Sequence, residues 1–480
     1  MTRSIIPLVI ASLLGMATLP VAAQQGTAAP AASPADAADT GAAWRRARIN
    51  RLSDLLGLPA EMPITGIAPE APARPMALHE TMRQGMNVNL DAQSADAKRR
   101  AAEFSRRAAR GALLPRVDVS AGGGKGRLDS VDPRLELPRK EGSVTVRQAV
   151  FDLGAFTELK RQGKLAEAAT LQARSADSAA GLETASAYLQ ALQARIVIAL
   201  SEEHEQRLKE LLDYVDARAE AGGTSQAESA RVRARVANAR AVIADSRANM
   251  RAALRNLESL VGEAPSTLAL AVPRALAIPA TSREAKSMAE QQNFDLRAAS
   301  ADIKAAEYEA ATQKSKYLPR IELQGTHRRD INTGGTEAEQ IDNRVMLTAT
   351  WSLFNGGTDY SQARAAQLRG RSVELARASS VRKLGQELDV AYATLDGMQE
   401  RFDAVSEEMA SNAAVVDAFR EQLVGGTRPL LDVLDAYQRL HQSRLDLTQL
   451  AVTEVQNHIK VSHLVGLLPS LMANDAGTAD

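Results

Sequence analysis

Cysteine is absent from all 480 residues, which excludes disulfides, thiolate metal sites and a lipid-bearing N-terminal cysteine in this chain. Charge of one sign is absent too. The 58 Lys and Arg balance 58 Asp and Glu, giving a formal net charge of zero. Nucleic acid is therefore not the expected partner, because phosphate binding draws on a cationic excess. Long apolar runs are scarce. The one clear run, Ile5–Leu14, follows the basic start Met1-Thr-Arg3 and precedes Val21-Ala-Ala23. A basic start, a short apolar core and small residues before the cut predict a signal peptide over 1–23. About a dozen apolar residues are too few to span a bilayer as a helix. An exported protein without a helical membrane anchor is expected.

Catalytic and metal-binding patterns are missing as well. The six histidines are scattered, and His458 and His463 stand five apart, which is not one helical face. No nucleophile–base pairing emerges. Ala121-Gly-Gly-Gly-Lys-Gly126 lacks the Ser or Thr that must follow the lysine of a phosphate loop, and it reads as the end of a strand. An enzyme is not expected, and neither is a cofactor or a bound metal.

What the chain does have is a plan stated twice. Leu114-Pro-Arg-Val-Asp-Val119 returns as Leu318-Pro-Arg-Ile-Glu-Leu323, and Val150-Phe-Asp-Leu-Gly154 as Leu353-Phe-Asn-Gly-Gly357. Gly222-Gly223-Thr224 returns as Gly425-Gly426-Thr427. Each half reads helix, strand, strand, helix, helix. The parts are a linker and N-terminal extension over 24–75, a first repeat over 76–262 and a non-helical connector over 263–281. A second repeat over 282–468 and a flexible tail over 469–480 complete the chain. A short amphipathic helix is expected within the extension, over Trp44–Leu58.

Met76–Gly111 and Ser282–Lys316 are expected as single helices that stop before the proline of Leu-Pro-Arg. Alternating strands follow. Val117, Val119 and Ala121 share one face of Arg116–Ala121, while Arg116, Asp118 and Ser120 share the other. Arg320–Gly325, Ser143–Val150 and Arg344–Leu353 alternate in the same way. Long polar loops, Arg127–Glu141 and Arg328–Asn343, are expected between the paired strands. Two long helices come next, Gly154–Glu220 and Thr358–Val424; about sixty residues reach roughly 90 Å. Leu388, Ala391, Leu395, Met398, Phe402, Val405, Met409, Val416, Phe419 and Leu423 hold a coiled-coil spacing, with Asn412 the one polar member. Each long helix reverses at a Gly-Gly tip into a returning helix, Gln226–Val261 or Leu430–Gly466.

The second tip, Val424-Gly-Gly-Thr-Arg-Pro-Leu-Leu-Asp-Val-Leu-Asp435, organises the chain. Gly425 and Gly426 suit a tight reversal, Thr427 is expected to cap the next helix, and Pro429 to enter its first turn. Arg428 then stands beside Asp432 and Asp435. Acids in a helix's first turn also complement its dipole, so the plain reading of this pair is helix capping.

Four alternating strands have membrane length yet cannot close a barrel alone, and open edges in lipid leave backbone groups unpaired. Strands from several chains must combine, eight from two or twelve from three. Phe151, Tyr317, Trp351 and Phe354 gather at strand ends, with Phe156 and Tyr360 nearby, and suit a membrane–water girdle. The rival reading is a periplasmic helical protein with two soluble hairpins, which would leave an apolar face exposed.

On the paired Leu-Pro-Arg strand openings, the Phe-Asp/Asn-x-Gly strand endings, the duplication and Val424–Ala436, the sequence resembles the TolC family of outer-membrane exit ducts. The resemblance covers Met76 to about Leu468. It implies a mainly α-helical, internally duplicated chain whose four strands join a trimeric twelve-stranded barrel in outer-membrane lipid. It also implies a periplasmic helical barrel, docking with an adaptor and an inner-membrane transporter. The carboxylates at Asp432 and Asp435 would ring a closed mouth, with Arg428 tying neighbouring helices. Aligned by its glycines, the first tip places Ser229 opposite Asp432 and Val232 opposite Asp435, leaving Glu228 as the candidate partner of Arg428. Ser225-x-x-Glu228 equally fits a capping box. The arginine-rich continuation, Arg231, Arg233 and Arg235, looks more like ducts of type I protein secretion. Small-molecule efflux is the alternative, and a periplasmic coiled-coil adaptor is the rival from another class, though no lipoyl-like β domain is found.

Overall fold

The first half runs β1 (Glu61–Pro63), β2 (Pro75–Met76), α1 (Leu78–Val88), α2 (Leu90–Gly111), β3 (Arg116–Arg127), β4 (Glu136–Phe151), α3 (Leu153–Glu220) and α4 (Gln226–Val261). A short β5 (Thr267–Ala269) precedes the second half. That half runs α5 (Ser282–Gln292), α6 (Phe294–Ser315), β6 (Arg320–Ile331), β7 (Glu339–Thr350), α7 (Thr358–Val424) and α8 (Leu430–Val465). The computed structural model describes residues 55–59, 61–63, 75–127, 136–263, 267–269, 278–333 and 338–469. The expected signal peptide, most of the 24–75 extension, nearly all of Trp44–Leu58 and the tail after 469 lie outside them.

Two asparagines correct the expectation of single leading helices. Asn89 leaves helical geometry at ψ 125° and accepts hydrogen bonds from the Asp91 and Ala92 N–H groups, so Met76–Gly111 becomes α1 and α2. Asn293, at ψ 126°, accepts from Leu296 N–H and splits Ser282–Lys316 into α5 and α6. A side chain that caps a helix this well competes with continuation of the helix before it. The breaks coincide with the ends of the returning helices. Asn293 donates through Nδ2 to the Leu464 carbonyl (2.9 Å), next to the αL cap Gly466.

The strands run further than their alternation suggests. β3 and β4 stay paired to Arg127↔Glu136, and β6 and β7 to Ile331↔Glu339, so the loops between them are shorter than expected. Gly122–Gly124 lies inside β3, not at its end. Ladder hydrogen bonds need no side-chain pattern, which is why pairing outlasts the apolar alternation. The sheet order is β3-β4-β6-β7, all antiparallel, with β3 and β7 as the two edges.

The register sorts the side chains as the alternation predicts. Val117↔Val146, Val119↔Val144 and Leu323↔Leu347 share one face with Val345, and Val119 is 74 % and Val345 76 % exposed. The opposite face carries ion pairs: Arg147 with Asp118 at 2.9 Å and Arg328 with Asp330 at 2.7 Å. Toward the helices one side of the sheet is apolar and uncovered, while toward the loops the same side carries the Arg329–Glu339 ion pair. The other is polar and internally paired.

Below the sheet, α3 and α7 run 68 and 67 residues, each about 100 Å at 1.5 Å per residue. Near the sheet α3 lies between α2 and α6; toward the tips it lies between α4 and α8, and α7 packs on α8. Leu388, Ala391, Phe402, Met409, Val416 and Leu423 of the expected seam are buried, as are Val433, Ala436, Leu440, Leu447 and Leu450 on α8. Around the waist, β1, β5 and β2 form a small sheet that closes over Met62 and Leu268. The connector therefore contains a strand, although its composition gives no alternation. Tyr188 donates to the Ala269 carbonyl (2.9 Å) and Arg444 to the Leu56 carbonyl (3.0 Å), tying this sheet to the helices.

Candidate functional site

The two tips lie side by side. Asn89 and Asn293, Arg116 and Arg320, Gln226 and Leu430, and Gly262 and Gly466 are each 204 residues apart. The glycine pairs of the tips obey the same spacing only when Gly222 is set against Gly426. Both are left-handed, at φ +77° and +75°, whereas Gly425 is helical at φ −70° and Gly223 is not left-handed. Aligning the glycines in sequence order is therefore wrong by one residue. In the corrected register Glu228 matches Asp432, and Ser229 matches Val433, both fully buried. Arg231 takes the place of Asp435.

The tip chemistry follows from that register. Arg428 donates through Nε to Gln422 Oε1 (2.9 Å) and through Nη1 to Asp432 Oδ2 (3.2 Å). Its guanidinium also lies 4.0 Å from the centre of the Phe419 ring. Three contacts fix one side chain across the turn, and planar guanidinium is suited to both the carboxylate and the ring face. Glu228 bonds Thr224 in the matching place of the first tip. Within this chain Arg428 pairs with Asp432 and is not brought to Glu228. Thr427 does not cap α8. Its hydroxyl donates back to the Gln422 carbonyl (3.2 Å), and Pro429 itself is the N-cap residue, with no side-chain cap. Ser225 likewise makes no side-chain cap bond, which removes the capping box.

Two residues that the sequence reading missed join the tips. Arg218, in the last turn of α3, donates through Nη1 to the Leu423 carbonyl at the end of α7 (3.3 Å). Tyr214, one turn earlier, donates to the same carbonyl (3.4 Å). A cation beside a helix C-terminus satisfies carbonyls that the helix itself cannot. The signal was available in principle, as a basic residue in the last turn, but nothing in the sequence pairs it with the other half. Asp435 faces Arg235 of α4 at 3.9 Å.

Higher up, His204 of α3 and His441 of α8 stack face to face, ring centres 4.4 Å apart. Burial holds both well below the usual imidazole range, at about 4, helped by the neighbouring ring and by Arg207 for His204, and by Arg444 for His441. Among the described residues no group of His, Asp or Glu is arranged to hold a metal ion. No helix among them is long and apolar enough to cross a membrane.

The aromatic residues gather at one end of the sheet only. Phe151 ends β4, Tyr317 precedes β6, and Trp351 and Phe354 follow β7, all exposed and all where strands meet helices. Trp351 donates to the Tyr317 carbonyl (3.1 Å).

A sheet with an uncovered apolar face and two open edges, set on helices about 100 Å long, defines a membrane channel protein that spans a membrane with strands and an aqueous space with helices. Residues 84–263 and 286–467 match the family described as Outer membrane efflux protein, and the chain belongs to that family. It is an outer-membrane protein that extends into the periplasm, and a channel protein, not an enzyme. Alkaline protease secretion protein AprF of Pseudomonas aeruginosa is 25% identical over 357 residues, 71% of this chain and 74% of that one. Outer membrane protein TolC of Escherichia coli is 23% identical over 409 residues, 82% of each. The solved structure of the Campylobacter jejuni CmeC outer membrane channel shares the fold at a TM-score of 0.71 and 15% identity, covering 81% of this chain and 85% of that one.

Proposed function

We propose that three copies of this chain form the exit duct of a tripartite export system, most directly one of type I protein secretion. The observation that carries the reading is the four-stranded sheet with unpaired edges β3 and β7 and an exposed apolar face. Three such sheets would give twelve strands, an apolar band toward lipid and an ion-paired lining toward water. The girdle residues Phe151, Tyr317, Trp351 and Phe354 would sit at the periplasmic boundary of that barrel. A periplasmic adaptor and an inner-membrane transporter complete the system. Protein cargo is favoured by the names of two relatives, AprF and the proteases secretion protein PrtF of Dickeya chrysanthemi, 23% identical over 400 residues. Small-molecule efflux is the second reading, favoured by the outer membrane efflux protein BepC of Brucella suis, 23% identical over 283 residues.

In this reading Gly222, Gly223, Glu228, Gly425, Gly426, Thr427, Arg428, Asp432 and Asp435 surround the periplasmic mouth. Arg428 holds its own turn closed, and Arg218 holds the two tips of one chain together. Removing either should loosen the closed mouth. Arg428→Ala and Arg218→Ala are each expected to raise single-channel conductance in planar bilayers. Asp432→Asn with Asp435→Asn is expected to abolish block by multivalent cations from the periplasmic side. Unchanged conductance and unchanged block would return these residues to helix capping. Cargo is tested by complementation of a strain lacking its secretion duct. Restored protease export without restored drug resistance supports secretion, and the reverse supports efflux.

A further inference from the structure

The glycine run Gly122-Gly-Gly124 and the Lys125 that follows it have no part in the channel described so far. They lie toward the loop end of β3, where the register fixes the side that each residue faces. Lys125 shares the side of Val117 and Val119, because no register shift interrupts the β3–β4 ladder. Lys140 pairs with Gly123 on that side. Arg329 pairs with Gly142, two residues beyond Val144, and so faces the same way. β3, β4 and β6 therefore each carry a cation on the apolar side near the loops, and all three are exposed. Diagonal neighbours across a sheet stand about 7–8 Å apart, so Lys140 has Lys125 on one flank and Arg329 on the other. Among the described residues Glu339 pairs with Arg329, and Lys125 and Lys140 form no ion pair. Between the cations lie Gly123 and Gly142, where an added Cβ would meet nothing nearer than a backbone oxygen at 3.9 Å. Asn332 donates through Nδ2 to the Pro138 carbonyl (3.0 Å), which holds the end of β6 on β4 beside this patch. The result is a bare, rigid patch flanked by like charges on a chain whose net charge is zero.

We propose that this patch binds the phosphates of a glycolipid in the outer leaflet of the outer membrane. The proposal rests on the barrel reading, in which the apolar side of the sheet meets lipid. Height carries it. Ile341 pairs with Arg329, and Trp351 of the aromatic girdle stands ten residues further along the chain. Ten residues of strand span about 33 Å, or about 25 Å along a barrel axis at the usual tilt. That is the height of the apolar band on a membrane barrel. The girdle therefore marks one boundary of the bilayer, and the three cations mark the other. The two boundaries are built differently. No Phe, Tyr or Trp occurs between Arg116 and Val150 or between Arg320 and Thr350, so none anchors the far boundary. Trp and Tyr suit an ordinary headgroup layer. Lys and Arg without them suit a headgroup that presents fixed phosphate, lysine as a compact point charge and arginine as a planar fork. The bare glycines let a sugar ring lie flat against the strands between the cations. The Gly-Gly-Gly-Lys stretch thus meets phosphate on a flat strand, whereas a nucleotide loop needs a turn into a helix.

The test places the exported chain in nanodiscs of phosphatidylcholine, titrates in lipid A or phosphatidylglycerol, and counts bound lipid by native mass spectrometry. Trimers that retain lipid A in preference to phosphatidylglycerol are expected. A cation near a charged headgroup layer is worth about fivefold in affinity, so Lys125→Gln with Lys140→Gln should weaken lipid A binding roughly 25-fold. Lys125→Arg with Lys140→Arg should keep it. Gly123→Leu should weaken it with every charge in place. Arg344→Gln, on the lumen side of β7, should leave it unchanged. Equal affinity for phosphatidylglycerol overturns the glycolipid as the occupant. Unchanged binding in the double Gln variant, or an equal loss in Arg344→Gln, overturns the patch and leaves the duct standing. Monomers in every lipid overturn the barrel reading itself.

Discussion

At the scale of single residues, the closest tolerances lie where a returning helix meets the break in a leading one. Gly466 is left-handed at φ +89°, and a Cβ there would stand 2.6 Å from the Gln292 carbonyl oxygen. Its counterpart Gly262, at φ +87°, would meet only Val88 Cγ1 at 3.6 Å. Left-handed alanine alone costs about 1 kcal/mol. Gly262→Ala should therefore lower stability by about that much, and Gly466→Ala by about 2–3 kcal/mol once overpacking is added. Denaturant titrations of the two variants, side by side, check the difference. The stacked histidines predict a pH response. Their folded pKa values, about 4, lie below the ordinary 6.5, so both stay neutral when folded and take protons when unfolded. The stability they contribute is complete above about pH 6.5, falls as the pH drops toward 4, and changes no further below that. Thermal melting should track this window. His204→Leu with His441→Leu should flatten it.

At the scale of elements, the sheet gives the sharpest contrast. Val119→Arg or Leu323→Arg puts charge on the apolar face and should cost up to about 2–4 kcal/mol near the bilayer centre. Asp118→Asn or Glu322→Gln, on the ion-paired face, should leave assembly intact. Heat-resistant trimer on gels is the readout, and equal defects from both sets would mean the faces are reversed. Much of this level was legible in the sequence. The faces of all four strands follow from period two, and the tip ends of the long helices from their Gly-Gly pairs. What escaped has a physical reason in each case. Asn89 and Asn293 break helices through side-chain caps that look like ordinary polar residues within an Ala- and Arg-rich run. Gly122–Gly124 pairs by backbone alone. Identical letters pair Gly222 with Gly425, whereas the fold pairs left-handed positions, Gly222 with Gly426.

At the scale of the whole molecule, the waist was the least legible part. Leu56, Met62 and Leu268 are buried together, yet they come from segments separated by some two hundred residues and have no shared pattern. Arg218 was missed for the same reason, since its partner Leu423 belongs to the other half. Contacts between halves are invisible to periodicity, which speaks only of the element that carries it. The waist ties the extension to the middle of the helices, so loss of residues 55–63 should weaken the duct halfway down and leave the sheet unaffected. Limited proteolysis of a chain lacking them should cut first within α3 or α8 near Tyr188 and Arg444.

The open edges β3 and β7 carry a consequence for inheritance. A strand edge is completed only by a neighbour, so a copy that cannot pair spoils the ring it enters as well as itself. With intact and edge-defective copies made in equal amounts and mixed at random, about one ring of three in eight is wholly intact. A lesion confined to β3 or β7 should therefore behave as dominant in a cell carrying both forms. A lesion that prevents the chain from folding at all never reaches a ring, and should be recessive.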